Sequence, residues 1–397
     1  MALAVAGDAP PRASTKVCVF GSGSFGTALG TVVARNGFTV TLLTRREDVA
    51  LSINQQHVNP QHLSDCKLPP LLSATTSARE ALEGVAFIVH CIPVQASEGF
   101  LEPIKALIPA GVPIVSTSKG LHSETLETMA ELVPRVLGRG QPMAFLSGPT
   151  FAQELMAANP SGVVCASADA ALADAAAQLF HCAAVRCYTT QDVVGVEVGG
   201  ALKNVYAVAA GAVEGMGLGN NPVAFLVTRA CAEMNLLAVA MGARAHTMAG
   251  LAGMGDLVLT CMGGKSRNKA VGARIGRGEP LEEVLESRKR ALEGVAEGVA
   301  TAPAAVRLAR RHGVNAPLAE ALAAVLEGKI KAREAIMMLM QQPRHEDFAA
   351  GAYEAERLLA EQRQLRLQGP GAPLGLPPAL WAALALGQAL ALGCAAA

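Results

Sequence analysis

Two lysines stand where a lysine is unfavourable. Lys203 interrupts the apolar run "GALKNVYAVAAG", and Lys119 closes the run "VPIVSTSKG". Burial disfavours an ammonium and drives its pKa toward neutrality, and a second ammonium nearby adds to that effect. A lysine tuned in this way can give a proton to a forming alkoxide or take one from an alcohol. The alternatives are a Lys203 side chain that snorkels to water and a Lys119 solvated on its loop. Asp256, in "GMGDLVLTC", is an acid between a glycine turn and an apolar segment. It either orients Lys203 or a substrate hydroxyl or caps a helix. Thr260 follows one helical turn later and reaches the same surface. After Gly263 and Gly264 comes "KSRN". Ser266, Arg267 and Asn268 offer hydroxyl, guanidinium and amide donors in a row, which suits a phosphate. Lys265 and Lys269 read as solvated charges.

A proton donor and a phosphate anchor call for an electron partner, and "VCVFGSGSFGTALG" offers a place for one. Its glycines are spaced Gly21-x-Gly23-x-x-Gly26. Forty of the 397 residues are glycine, so spacing alone proves little and position must decide. These glycines directly follow the strand-like run "KVCVF" and open a helix running from Ser24 to Asn36, the context a dinucleotide fingerprint requires. Gly21 permits the sharp turn, Gly23 lets a pyrophosphate approach the backbone, and Gly26 lets helix and strand pack closely. The helix N-terminus offers free N–H groups and a positive dipole end. Ser24 and Phe25 are cofactor contacts in this reading, the phenyl ring covering the crevice. Pro93, in "CIPVQ" at the end of another strand, borders the same crevice. The second strand ends "TLLTRRED". Where the fingerprint expects an acid for the ribose hydroxyls, Thr44 stands, followed by Arg45 and Arg46. An arginine there pairs with the 2′-phosphate of NADP or stacks on adenine; the alternative is a solvated turn. The coenzyme is NAD or NADP, with neither excluded.

The elements that must carry these residues are legible as a pattern. Strand-like runs recur as "FTVTLLT", "VAFIVHCIP", "VPIVSTS", "MAFLSGP", "SGVVCAS" and "AAVRCYTT", with helical stretches between most of them. Such alternation predicts a doubly wound, mostly parallel sheet. From Val193 to about Glu346 the pattern becomes helical, with the strongly apolar "PVAFLVTRACAEMNLLAVAMG" and the amphipathic "PLEEVLES" and "TAPAAVRLARRHG". The expected division is a flexible segment at 1–15, a dinucleotide-binding domain at 16–190, a helical substrate and catalytic domain at 191–346, and a tail at 347–397. The fold class is an α/β Rossmann-type doubly wound sheet followed by an all-α helical domain. In the tail, "GPGAPLGLPP" reads as a linker. The uncharged run at 379–397 is either a tail anchor or a packed or disordered end.

Composition limits the partners. Lysine plus arginine and aspartate plus glutamate number 33 each, so no global field draws the chain to nucleic acid or an anionic membrane. Nine cysteines occur without a C-x-x-C pair, which suits reduced thiols in a cytosol-like compartment. The histidines are scattered, and no metal site is expected. "MALAVAGDAPPRAST" shows no clear signal peptide, and it is acid-poor enough to serve as a short transit segment.

Six stretches narrow the reading: "CIPVQ", "STSKGL" (116–121), "LSGPTFAQE" (146–154), "GVEVGGALKNVYAVAAGAVEGMG" (195–217), "GLAGMGDLVLTCMGGKSRNKAVG" (250–272) and "AEGVAT" (296–301). Together, from Lys16 to Asp347, they closely resemble the NAD(P)-dependent glycerol-3-phosphate dehydrogenases of the bacterial and plastid type. The resemblance implies reversible hydride transfer between NAD(P)H and dihydroxyacetone phosphate, giving sn-glycerol 3-phosphate, a glycerophospholipid precursor. It implies that Lys203 is the proton acceptor and that Asn204 beside it positions the substrate. Lys119 serves both ligands as well as the chemistry. Gly148 and Thr150 lie near the substrate and Ala152 near the cofactor. Ser266, Arg267 and Asn268 bind the substrate phosphate, Arg267 also touching the cofactor. A cofactor-contacting glutamate precedes Gly-Val in the family; Glu297 fits its distance from "HGVNAPL" better than Glu293, and Val295 lines the same wall. The expected partners are a phosphorylated triose and a second copy of the chain, with no nucleic acid and no membrane contact except through the tail. The expected compartment is the cytoplasm or plastid stroma. Two other readings remain open: a two-domain hydroxy-acid or sugar-acid dehydrogenase, and a non-catalytic dinucleotide sensor.

Overall fold

The computed structural model describes residues 14–291 and 294–342. Most of the expected N-terminal segment, Glu293 and the whole of the expected tail lie outside them. Eight strands form one sheet: β1 (Lys16–Phe20), β2 (Thr39–Leu43), β3 (Leu72–Thr75), β4 (Val85–His90), β5 (Ile114–Ser116), β6 (Met143–Ser147), β7 (Ser161–Ala166) and β8 (Val185–Thr190). Their order is 3-2-1-4-5-6-7-8. All neighbours are parallel except β6 and β7, which run antiparallel. The helices beside and between the strands are α1 (Ser24–Arg35), α2 (Glu47–Gln56), α3 (Ala78–Leu82), α4 (Val94–Leu101), α5 (Met129–Leu137), α6 (Ala152–Met156) and α7 (Ala170–Phe180).

Strand β1 shows why this sheet needs cover on both faces. Successive side chains of a strand point to opposite sides. Val17 and Val19 enter one core with Leu29 and Val33 of α1. Cys18 and Phe20 enter another with Ile88 of β4 and Leu132 and Val133 of α5. The strand order reverses between β1 and β4, so a crevice opens at their carboxyl ends, the usual ligand position in such sheets. Backbone bonds close around it: Gly21 N–H donates to the Leu43 carbonyl and Cys91 N–H to that of Phe20, each at 3.0 Å. The short edge strand β3 was not foreseen, and neither was the antiparallel pairing.

After β8 the described chain is helical: α8 (Val193–Gly215), α9 (Asn220–Ala240), α10 (Asp256–Met262), α11 (Arg267–Gly276), α12 (Leu281–Arg290), α13 (Glu297–Arg311), α14 (Pro317–Leu326) and α15 (Ala332–Met340). Helix α8 is the axis, packed by α9, α10, α11 and α13. Asp192 caps it, accepting from Gly195 N–H at 3.0 Å and from Arg244 N–H at 2.9 Å. Glycines permit the closest approach. A Cβ on Gly211 or Gly215 of α8 would overlap the Lys269 or Ala273 carbonyl oxygen, and one on Gly272 or Gly276 of α11 would overlap that of Val208 or Ala212. Two G-x-x-x-G faces thus interlock backbone to backbone. Helices α8 and α9 are long and apolar enough to cross a membrane by length and composition, but 78% of the apolar window of α8 is buried inside the protein.

Candidate active site

Ser24 and Phe25, the residues that open α1 beside the glycine turn, form one end of a cleft of about 610 Å³, within the usual range for small-ligand sites; Gly21, Gly23 and Gly26 are not in its lining. Gly21 takes φ +99°, a left-handed conformation that favours glycine. A Cβ on Gly26 would overlap the Gly21 carbonyl oxygen, so only glycine lets the helix approach the turn this closely. A Cβ on Gly23 would meet nothing within 4 Å, so its backbone faces open space. No side chain caps α1, and its first turn carries no acid. Its N–H groups and dipole are therefore directed at the cleft without a competing carboxylate, as an anionic pyrophosphate requires. Ser24 and Phe25 line the cleft; the Phe25 ring centre lies 6.0 Å from Lys119 Nζ.

At the other end the two lysines grip one carboxylate. Lys203 Nζ donates to Asp256 Oδ1 at 2.5 Å, and Lys119 Nζ to Oδ2 at 2.6 Å. Asp256 is completely buried and Lys203 is 7% exposed. Helix α8 delivers Lys203 from inside the bundle. A one-turn π-helical segment, Leu251–Gly255, delivers Asp256 as the first residue of α10. The cap position of α10 is Gly255, so the aspartate serves the lysines and does not cap. Thr260 Oγ1 accepts from Lys203 Nζ at 3.1 Å and donates to the Asp256 carbonyl at 2.6 Å. Lys119 Nζ also donates to the Gly148 carbonyl at 3.1 Å. Burial pushes Lys203 down to about 8; Asp256 opposes the shift and Lys119 adds to it. Burial acts to raise Asp256, but the two ammonium groups outweigh it and hold the carboxyl below its ordinary value.

A relay of amides ties the cleft walls together. Gly298 N–H donates to Asn268 Oδ1 at 2.9 Å, Asn268 Nδ2 to Asn204 Oδ1 at 2.9 Å, and Asn204 Nδ2 to the Lys119 carbonyl at 3.2 Å. Ser266 caps α11 by accepting from Lys269 N–H at 3.2 Å. The N-terminus of α11, with Arg267, therefore opens onto the cleft. Glu297 begins α13; burial raises its carboxyl to about 7, while Arg267, Lys203 and Lys119 pull the other way.

Fourteen of the expected contacts line this cleft: Ser24, Phe25, Pro93, Lys119, Thr150, Ala152, Lys203, Asn204, Thr260, Ser266, Arg267, Asn268, Val295 and Glu297. Asp256 lies just beneath, and Gly148 supplies a carbonyl to Lys119. Arg45 and Arg46 are exposed and outside the lining. Arg46 pairs with Asp48 at 2.6 Å and meets the Gln61 amide oxygen, with that amide oriented so both groups are satisfied. At the position of the missing acid, Thr44 Oγ1 accepts from Ser22 Oγ at 2.8 Å. Lys269 departs from the solvated reading: its side chain is 12% exposed and pairs with Glu214 at 2.6 Å. Lys265 also lines the cleft, 3.6 Å from Glu154. Sequence reasoning missed Gln61, His62, Ser118 and Phe151 in the lining. The first two sit in an irregular segment with no periodic signal, whereas Ser118 and Phe151 flank residues already singled out.

A glycine turn at the switch point and a helix-borne lysine facing it across one cleft define an NAD(P)-dependent dehydrogenase with a helical second half. Comparison with known proteins narrows the class. The model of the NAD-dependent glycerol-3-phosphate dehydrogenase N-terminus matches residues 16–173, and that of the C-terminus residues 192–337. The chain belongs to this family. It is 46% identical to a chloroplastic NAD(+) glycerol-3-phosphate dehydrogenase of Oryza sativa subsp. japonica, over 84% of this chain and 75% of that one. It is also 46% identical to an NAD(P)+ glycerol-3-phosphate dehydrogenase of Geobacter sulfurreducens, over 82% and 97%. A crystal structure of glycerol-3-phosphate dehydrogenase from Coxiella burnetii superposes with a TM-score of 0.77 at 33% identity, covering 83% of this chain and 99% of that one. A ketopantoate reductase from Ralstonia eutropha shares the fold alone, at 15% identity and a TM-score of 0.51.

Proposed function

We propose that this chain interconverts dihydroxyacetone phosphate and sn-glycerol 3-phosphate with NAD(H) or NADP(H). One observation carries the mechanism: a lysine 7% exposed, held by a buried carboxylate, lines the same cleft as the start of α1, and burial pushes its pKa down to about 8. The bound nicotinamide supplies or accepts hydride. Lys203, as the ammonium, gives its proton to the carbonyl oxygen as that oxygen becomes an alkoxide; as the amine, it takes the proton from the alcohol. Asp256 fixes Lys203 through Oδ1, and Thr260 holds a second side of the ammonium. Lys119 presents a second cation to the substrate oxygens while Oδ2 and the Gly148 carbonyl fix its position. Arg267 and the N-terminus of α11 supply charge and donors for the phosphate.

Because Lys203 titrates near 8, reduction weakens above that pH and oxidation weakens below it. The test follows 340 nm absorbance with each coenzyme and dihydroxyacetone phosphate. Consumption of neither coenzyme rejects the assignment. Lys203→Ala lowers kcat by ~100-fold or more; near-normal turnover in a folded variant removes Lys203 from the proton-transfer role.

Three finer points belong to the same proposal. The domain boundary falls between β8 and α8, near residue 190. The compartment is the cytoplasm or a plastid, in keeping with relatives from bacteria and one named as chloroplastic. The enzyme works as a homodimer through its helical part, where Phe225 of the apolar α9 is half exposed; light scattering on a size-exclusion column reads the mass directly.

A further inference from the structure

Between α2 and β3 the chain runs as irregular backbone, and Asn59 is completely buried within it. Its amide faces the glycine turn. Nδ2 donates to the Ser22 carbonyl at 2.8 Å and to Thr27 Oγ1 at 2.9 Å. Its Oδ1 accepts from the backbone N–H groups of Gln61 at 3.1 Å and His62 at 3.2 Å. One side chain therefore joins the turn before α1 to Gln61 and His62, two of the three residues of its own segment that line the cleft, Leu63 being the third. His62 Nδ1 comes within 3.4 Å of Ser24 Oγ at the start of α1. Gln61 meets the Arg46 guanidinium.

We propose that Asn59 is a positioning residue of the coenzyme site, locking the segment that presents Gln61 and His62 against the glycine turn. The reading rests on the cleft being the coenzyme site. No other side chain bonds both the Ser22 carbonyl and the 61–62 backbone among the described residues. Loss of the amide donors frees the segment from the turn, and coenzyme affinity falls because the wall must be ordered on binding. The chemical centre is unaffected, since Lys119, Lys203 and Asp256 make none of these bonds.

Asn59→Asp tests this selectively, because a carboxylate keeps the Oδ1 contacts to Gln61 and His62 but cannot donate to Ser22. Calorimetric titration of the coenzyme-free protein with NADH and with NADPH reads affinity without turnover. We expect Kd for both coenzymes to rise about tenfold, as for loss of a well-made buried bond. The KM for dihydroxyacetone phosphate at saturating coenzyme and kcat stay within about twofold of wild type. The effects of Asn59→Asp and His62→Ala combine less than additively if both act through one wall. Unchanged Kd in a folded Asn59→Asp variant overturns the proposal, as does a loss in kcat as large as the loss in affinity. If Asn59→Asp does not fold, His62→Ala decides, since that side chain is only partly buried. Weaker coenzyme binding then supports the wall, and wild-type Kd overturns it. A wild-type protein that binds neither coenzyme would instead reject the coenzyme cleft itself.

Discussion

The sharpest consequence of two lysines on one carboxylate concerns Asp256→Asn. The substitution preserves shape and removes the only negative charge that touches Lys203 among the described residues. Wild-type Lys203 titrates at about 8, so at pH 7.5 most of it carries the proton that reduction needs. Opposite unit charges about 4 Å apart attract by roughly 4 kcal/mol at an effective dielectric constant of ~20. An asparagine oxygen still accepts one bond, so the net loss is smaller, on the order of 3 kcal/mol. At about 1.4 kcal/mol for each tenfold change in protonation, Lys203 titrates roughly two pH units lower. At pH 7.5 only about one molecule in thirty is then protonated, against roughly three in four in the wild type, and kcat for reduction falls about 25-fold. The loss is recoverable: as pH falls from 7.5 toward 6 the rate climbs by up to about tenfold per pH unit, then levels off as Lys203 becomes protonated again. Oxidation uses the amine, which the substitution favours, so it loses less. The assay is kcat against pH in both directions, with circular dichroism to verify folding. A variant within threefold of wild type at pH 7.5, with an unmoved pH profile, would show that Asp256 does not set the charge on Lys203. An equal loss in both directions at every pH would assign Asp256 to orientation alone.

Arg46→Ala should raise the KM for NADPH about tenfold and leave that for NADH unchanged, if the guanidinium meets a 2′-phosphate; equal KM changes for the two coenzymes refute that contact. In Gly272→Ala the new Cβ meets the Val208 backbone, so α8 and α11 must separate at a cost of about 1–3 kcal/mol or more. A melting temperature equal to wild type would show that the interlock yields freely. Glu233 is buried on α9, accepting from Tyr206 OH at 2.8 Å and from Leu318 and Ala319 N–H at 3.0 Å each. Burial raises its carboxyl to about 7, above the ordinary 4.5. The folded state then binds a proton that the unfolded chain has released, and this stability, complete below pH 4.5, is lost as pH rises through 7. Between pH 5 and pH 8 the wild type should lose about 2–3 kcal/mol relative to Glu233→Gln in urea unfolding; parallel stability curves would falsify the shift.

What could be read from the sequence follows the range over which each interaction acts. The glycine turn is a local device, since strand, turn and helix are consecutive, so its position between them was sufficient. Lys203 was legible because its own helix surrounds it with apolar residues. The length of β3 defeats the same logic: "LSAT" has too few residues for a pattern and exists because β2 offers it an edge. The antiparallel β6–β7 pair left no trace, because strand direction depends on how the intervening chain returns. Asn59 reaches the turn across 37 residues, through a segment whose only signal is polarity. Nor could sequence show that Lys119 meets Asp256 across 137 residues.

The amide relay shows what this long-range closure achieves. "GALKN" and "SRN" look like separate substrate motifs in the sequence. In the fold Asn204 and Asn268 hold one another, and through them the backbone at the start of α13 is tied to the Lys119 carbonyl. Glu297 precedes the Gly298 N–H that anchors this relay, and the Lys119 side chain grips Asp256 at its far end. A shift of either wall must stretch the same three bonds. The wall carrying Glu297 and the wall carrying Lys119 are therefore held in one register, and the relay itself fixes the spacing of the acid, the two lysines and the aspartate.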